Sequence, residues 1–114
     1  MIRAGSVVWV DLGAPAGTEQ GGRRPGLVIS SADHLDVTRL VTVLPCTTRD
    51  RGWPNHVALR GAGTPVPTLA MTEQPRTISR ERIRGVIGDV SPECMADVMA
   101  WVSRWLAGPA TRRF

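Results

Sequence analysis

Glycine and proline divide this sequence into short segments, and that division constrains the fold more than any other feature. The 114 residues include 12 Gly and 9 Pro, and the runs between them are short and rich in β-branched and aromatic residues, as in strands. The predicted strands are residues 6–12, 26–29, 38–44, 55–59, 68–72 and 83–90. Short strands joined by Gly- and Pro-rich turns are typical of a small curled sheet or open barrel.

Individual residues set the expected boundaries of these strands. Pro25 and Pro45 have no N–H for a sheet, so we expect Pro25 at the first position of the second strand and Pro45 to end the third. Residues 30–36 are interpreted as a turn or one short helical turn. Gly85 and Gly88 predict a bend or bulge in the last strand.

One helix is expected at the C-terminus. Ser91 is suited to the N-cap and Pro92 to the first helical position, while Gly108 and Pro109 predict the end. Apolar residues recur at three- and four-residue spacing and predict one apolar stripe, formed by Met95, Val98, Val102, Trp105 and Leu106. The predicted fold is therefore mainly β, with a C-terminal helix.

The length fits one domain, which we expect to span residues 1–109, followed by a basic tail at 110–114. No apolar run is long enough to cross a bilayer and no signal peptide is recognisable, so a cytoplasmic protein without a membrane partner is expected. Cys46 and Cys94 are then interpreted as small buried residues. The Cys and His spacing does not fit zinc, and we expect no metal site.

Charge favours an anionic partner. The formal net charge is +4, and every basic residue is Arg. A guanidinium is always charged, grips phosphate with a planar fork and stacks on bases. A GC-rich genome would also favour Arg codons, so the arginines alone do not assign a function.

Three ordered blocks resemble the MazF/PemK family of endoribonuclease toxins. The first is Gly-Thr-Glu-Gln-Gly-Gly-Arg-Arg-Pro at 17–25, followed by an apolar strand. The second is Val-Leu-Pro-Cys-Thr-Thr at 43–48, and the third is Glu-Gln-Pro-Arg-Thr-Ile at 73–78. With the opening strand, the resemblance covers roughly residues 4–106, and three blocks in order are far more specific than one motif. Where many relatives have Asp-Ser before the third block, this chain has Val-Pro-Thr at 66–68, which puts those loop contacts in doubt.

The resemblance implies a fold, an activity and partners. Members of the family are SH3-like β-barrels of the CcdB/MazF type with a C-terminal helix, and they form two-fold homodimers. They cleave single-stranded RNA, including mRNA, at short sequences without a cofactor, and a MazE-like antitoxin inhibits them. Carried over residue by residue, Arg24 and Thr47 are the catalytic positions. The expected RNA-binding residues are Glu19, Gln20, Arg49, Trp53, Thr68, Gln74 and Arg76.

These residue types suit RNA cleavage. RNA supplies its own nucleophile, the 2′-OH, so the protein has only to align that oxygen and stabilise charge on the phosphate. Arg24 can grip the phosphate oxygens, and Thr47 can donate its hydroxyl. The expected products carry a 2′,3′-cyclic phosphate and a 5′-OH. The base that removes the 2′ proton stays open between water, a carboxylate such as Glu19, and the substrate itself.

Several alternatives remain at this stage. His34 and His56 lie outside the matching blocks, so we expect core or solvated histidines. Trp53 could stack on a base or cover the barrel, and Gln74 could be structural or interfacial. For the whole chain, the alternatives are a CcdB-like inhibitor that binds DNA gyrase or another protein, and a noncatalytic RNA-binding barrel.

Overall fold

The protein is an antiparallel β structure with a C-terminal helix, seen in a computed structural model that describes residues 1–14, 17 and 21–109. The strands are β1 (Ser6–Asp11), β2 (Arg23–Val28), β3 (Leu40–Thr47), β4 (His56–Ala58), β5 (Leu69–Met71), β6 (Arg76–Ser79) and β7 (Ile83–Asp89). The helices are α1 (Ala32–Val37) and α2 (Pro92–Ala107), with a short 3-10 turn at Arg80–Arg82. The mainly β prediction is confirmed.

All seven strands belong to one sheet in the order β4-β5-β3-β2-β1-β7, with β6 also pairing with β3. Because side chains alternate between the two faces of a strand, the central strands β1, β2 and β3 contribute residues to two apolar cores, one on each face of the sheet. One core joins Val7, Leu27 and Leu44 to Cys94, Val98 and Val102 of α2. The second, on the other face, joins Val8, Val10, Val28, Val41, Val43 and Ile78 to Leu35 of α1.

Both prolines lie inside strands, so the boundaries expected at Pro25 and Pro45 are wrong. Strand β2 begins at Arg23, and Pro25 pairs only with Trp9 of β1, because the β2–β3 register begins at Gly26. Strand β3 continues to Thr47, and Pro45 pairs with Gly26 on one side. Its other side faces the gap between β5, which pairs at Cys46 and Thr47, and β6, which pairs at 40–43. A missing N–H is tolerated where one side of a strand has no partner.

Strand β6 was not predicted as a strand. Its four residues follow the Glu-Gln-Pro segment directly, and only the pairing of residues 76–79 with β3 defines them. The bulge expected near Gly85 and Gly88 is confirmed, because the β1–β7 register shifts between Val7 and Val8 and again between Trp9 and Val10. Gly88 also allows close packing, since a Cβ there would lie 2.2 Å from the Ala62 carbonyl oxygen.

The predicted helix boundaries are confirmed. The Ser91 side chain accepts a hydrogen bond from the Cys94 N–H, Pro92 opens the helix, and Gly108 follows its last residue. The predicted apolar stripe is only partly buried within a single copy of the chain. Val98 and Val102 are buried with Cys94, but Trp105 is 47% exposed and Leu106 is 71% exposed. Regular spacing gives the face of a helix, whereas the extent of the neighbouring sheet decides how much of that face is covered.

Two other expectations from the sequence are met. Residues 32–37 form α1, with Ser31 as its N-cap. Cys46 and Cys94 are free and buried. Within the described ranges, no helix is both long and apolar enough to span a bilayer.

Candidate active site

Arg24 lies at the start of β2, and its guanidinium is held by two backbone carbonyls. Nε donates to the Gly21 oxygen at 3.1 Å, and Nη1 donates to the Cys46 oxygen at 3.2 Å. The first bond ties the side chain to the Gly-rich loop, and the second ties it to β3. These two bonds use two of the five N–H groups of the guanidinium, and neither of them involves Nη2.

Thr47 is the last residue of β3 and comes directly after the carbonyl that Arg24 contacts. Its Oγ1 accepts a hydrogen bond from the Arg49 N–H at 3.1 Å, which turns the chain into the following loop. A hydroxyl that accepts one hydrogen bond still has its own proton to donate. The turn-capping role considered from the sequence is therefore present and leaves the hydroxyl proton available.

A hydrogen bond to β3 places the Arg24 guanidinium near Thr47. The paired register of β2 and β3 ends at Gly26 and Pro45, and beyond it Arg24 Nη1 donates to the carbonyl of Cys46, the residue before Thr47. Arg76 faces Val43 on the same strand, and Thr47 and Val43 share a face because two-residue steps return to the same side. Two cationic side chains and one hydroxyl thus come from three strands to one face of the sheet.

The loop after Thr47 brings two further arginines and an exposed indole. Arg49 is exposed, and the Arg51 guanidinium lies 5.1 Å from the centre of the Trp53 ring. The Trp53 side chain is 49% exposed and also packs against the ring of His56, with ring centres 5.0 Å apart. An exposed indole can stack on an unpaired base, and guanidinium groups near it can bind the phosphate of that nucleotide.

His56 and Glu73 form a pair that the sequence reasoning missed. His56, expected to be a core or solvated residue, is buried, and its Nε2 lies 3.1 Å from Glu73 Oε2. Asn55 Nδ2 donates to the other carboxylate oxygen at 3.0 Å, and Gln74 Nε2 donates to Oε2 at 3.2 Å. Glu73 lies inside the third sequence block, but His56 is an isolated residue at a strand start, and no sequence pattern connects the two.

These contacts set the ionisation of Glu73. Partial burial acts to raise its pKa, but the hydrogen bonds from His56, its own backbone and Gln74 outweigh that effect. The net result is a pKa below the ordinary carboxyl value, so Glu73 is a carboxylate at neutral pH. The thiol beside Thr47 behaves in the opposite way, because burial raises the pKa of Cys46 to about 12. Cys46 is therefore an apolar neighbour rather than a nucleophile.

The remaining predicted RNA-binding residues differ in accessibility. Gln74 and Arg76 are half-buried beside the site. Thr68 is buried, and its hydroxyl donates to the Val66 carbonyl at 2.9 Å, an arrangement that argues against direct contact with RNA. Glu19 and Gln20 lie outside the described residues. In the part of the chain that is described, no three His, Cys, Asp or Glu side chains are grouped to hold a metal ion.

Comparison with protein families gives one match over most of the chain. The model for the PemK-like, MazF-like toxin of type II toxin–antitoxin systems matches residues 3–106. The endoribonuclease toxin MazF of Escherichia coli K12 is 35% identical over 91 residues, which are 78% of this chain and 79% of the relative. Endoribonuclease MazF9 of Mycobacterium tuberculosis is 34% identical over 106 residues, covering 86% and 90% of the two chains.

Solved structures agree with the sequence comparison. MazF from Deinococcus radiodurans superposes with a TM-score of 0.81 at 32% identity, covering 92% of this chain and 96% of the other. A MazE–MazF crystal structure from the same organism gives 0.76 at 31% identity, with coverage of 95% and 97%.

Proposed function

The chain belongs to the family of PemK-like, MazF-like toxins of type II toxin–antitoxin systems and is an endoribonuclease, and from this we propose that Arg24 and Thr47 cut single-stranded RNA without a metal ion. The observation that carries the proposal is the position of the Arg24 guanidinium. It is anchored to the carbonyl of Cys46, the residue before Thr47, through Nη1, and this bond does not involve Nη2.

The chemistry follows from what this pair can offer a phosphodiester. The 2′-oxygen forms a bond to phosphorus, and the bond from phosphorus to the 5′-oxygen breaks. The 2′ proton passes to a base, and the departing 5′-oxygen takes up a proton. Arg24 stabilises charge on the nonbridging oxygens, and Thr47 donates a hydrogen bond to the same phosphate. The products carry a 2′,3′-cyclic phosphate and a 5′-OH.

The proton donor and the base are separate questions. A guanidinium stays protonated in proteins, so Arg24 is suited to stabilise charge or to donate a proton, and not to remove the 2′ proton. The base is then a water, a carboxylate such as Glu19, or the substrate. Thr47 already accepts from Arg49, so it is better suited to donation than to proton removal.

Residues around Arg24 and Thr47 would hold the RNA strand on either side of the scissile bond. Arg49 and Arg76 supply charge for phosphates, and the exposed Trp53 supplies a surface for a base. Gln74 supplies an amide for a base edge or for loop support. Glu19 and Gln20 belong to the proposed contact set through the first sequence block.

We also propose a binding partner and an oligomeric state for this chain. Because MazE–MazF structures exist for a 31% identical relative, we expect a MazE-like antitoxin to bind this chain, in competition with RNA. We further expect a homodimer in the cytoplasm, with residues 1–109 acting as one toxin domain.

The test is cleavage of an unstructured RNA in EDTA, with analysis of both new ends. We expect cuts at a short recurrent sequence, with 5′-OH ends and 2′,3′-cyclic phosphates. A 5′-phosphate end, or activity abolished by EDTA, would refute the mechanism. Inhibition of DNA supercoiling with no RNA cleavage would instead support a CcdB-like inhibitor.

A further inference from the structure

The His56–Glu73 pair has no role in the chemistry described above, although burying it is costly. The His56 side chain is only 1% exposed, and its Nδ1 is a buried atom with no hydrogen-bond partner among the described residues. A buried polar atom without a hydrogen-bond partner destabilises the folded state. The arrangement favours the tautomer with hydrogen on Nε2, which donates to Glu73, because Nδ1 faces no acceptor.

The pair is connected to Trp53 through both backbone and ring. The His56 N–H donates to the Trp53 carbonyl at 3.1 Å. The two rings pack at 60° with centres 5.0 Å apart, within the range of favourable tilted aromatic pairs. The exposed indole therefore rests on a buried imidazole, whose orientation is fixed by the carboxylate of Glu73.

Glu73 is itself held by a network that reaches the C-terminal helix. Asn55 donates to Glu73, and the Asn55 carbonyl accepts from the Thr72 hydroxyl at 2.6 Å. The same hydroxyl accepts from Trp105 Nε1 at 3.1 Å. Residues 72–75 form the break between β5 and β6, which faces Leu44 and Pro45 just before Thr47. The network thus joins the loop that carries Trp53 to the segment between β5 and β6 and to helix α2.

We propose that His56 and Glu73 are positioning residues that hold the Trp53 indole as a stacking surface for the base beside the scissile phosphate. The proposal rests on the RNA-cleaving function proposed above. The Glu73 carboxylate orients the His56 ring, and that ring supports one side of the indole. Arg51 lies over the Trp53 ring and can bind the phosphate of the stacked nucleotide.

If His56 positions a binding surface, replacing it should raise KM and leave kcat nearly unchanged. His56→Phe keeps an aromatic ring against Trp53 but loses the N–H to Glu73, whereas His56→Gln keeps an N–H near the position of Nε2. On a single-stranded RNA oligonucleotide, we expect His56→Phe to raise KM about tenfold, the scale of one base–aromatic stack. Its kcat should stay within about threefold of wild type. His56→Gln loses the ring that packs against Trp53, so its KM should rise by a similar factor. His34→Gln, at the other histidine of the chain, is the matched control and should behave as wild type.

Tryptophan fluorescence supplies a second readout with a noncleavable 2′-O-methyl oligonucleotide. RNA should quench the wild type, Trp53→Phe should lose that quenching, and His56→Phe should lose most of it. An unchanged KM in folded His56→Phe, or a fall in kcat without a rise in KM, would overturn the proposal. If His56→Phe does not fold, Glu73→Ala at a partly exposed position should give the same rise in KM, and its failure to do so would also overturn it. Failure of the wild type to cleave any RNA would instead refute the proposed function on which this inference rests.

Discussion

The Thr47 hydroxyl has two roles. Its oxygen accepts a hydrogen bond that stabilises a turn, and we propose that its proton is donated to the RNA phosphate. Its Oγ1 accepts from the Arg49 N–H, so the side chain is already oriented before RNA binds. Thr47→Ser keeps the hydroxyl, while Thr47→Val keeps the shape and removes it. We expect Thr47→Val to lower kcat about 10- to 100-fold and Thr47→Ser to lower it only a few-fold, because one hydrogen bond to the transition state is lost in the first case. Single-turnover cleavage rates test this, and equal rates for Val and Ser would contradict the role of the hydroxyl.

Glu73 makes the stability of the protein depend on pH. Its pKa in the folded chain lies below the ordinary value of 4.5. A lowered pKa means that the stabilisation is fully present above that ordinary value and is lost as pH falls through the folded value. Glu73→Gln should therefore be less stable than wild type at pH 7, and the difference should shrink as pH falls below about 4.5. Urea unfolding at several pH values measures it, and a constant difference would contradict the assignment.

At the scale of elements, Gly88 lets β7 pass close to the loop after β4. A Cβ at Gly88 would lie 2.2 Å from the Ala62 carbonyl oxygen, whereas a Cβ at Gly85 on the same strand would meet nothing within 4 Å. Gly88→Ala should cost about 2–3 kcal/mol of unfolding free energy, because backbone has to move to relieve the overlap. Gly85→Ala is the control and should change stability by less than about 1 kcal/mol. Similar losses in both variants would show that the close approach is not the cause.

The elements that the sequence predicted well are those encoded locally. The α2 boundaries follow from Ser91, Pro92 and Gly108, which act within one turn of chain. The positions of Pro25 and Pro45 inside strands depend on which side of each strand has a partner, and that is decided by residues far along the chain. The exposure of Trp105 depends in the same way on where the sheet beneath the helix ends.

The residues of the candidate site were also only partly predictable from the sequence. Arg24 and Thr47 were predicted from sequence blocks, and the hydrogen bond from Arg24 to the Cys46 carbonyl links the two segments. His56 could not be connected to Glu73 in advance, because the contact between them is made by folding and neither residue has a motif spacing relative to the other.

At the scale of the whole molecule, charge governs the encounter with RNA. The net charge is +4, and Arg24, Arg49, Arg51 and Arg76 are the proposed phosphate contacts. Each neutralised phosphate on a single strand contributes about −0.7 to the slope of log affinity against log salt, so four contacts predict a slope of about −3. Replacing Arg49 with Ala should reduce the slope by about 0.7 and weaken binding to all sequences alike. Fluorescence anisotropy with a noncleavable oligonucleotide measures both, and an unchanged slope would remove Arg49 from the contact set.

The proposed cleavage reaction depends on the anchored guanidinium of Arg24. Its neighbour Arg23 provides a matched control, because it is exposed and lies on the same strand. The decisive measurement is the single-turnover cleavage rate of Arg24→Ala and Arg23→Ala in EDTA, with binding of a noncleavable RNA measured in parallel. We predict that Arg24→Ala binds RNA but cleaves it about 100- to 1000-fold more slowly, while Arg23→Ala stays within a few-fold of wild type. Cleavage by folded Arg24→Ala at the wild-type rate would contradict the account.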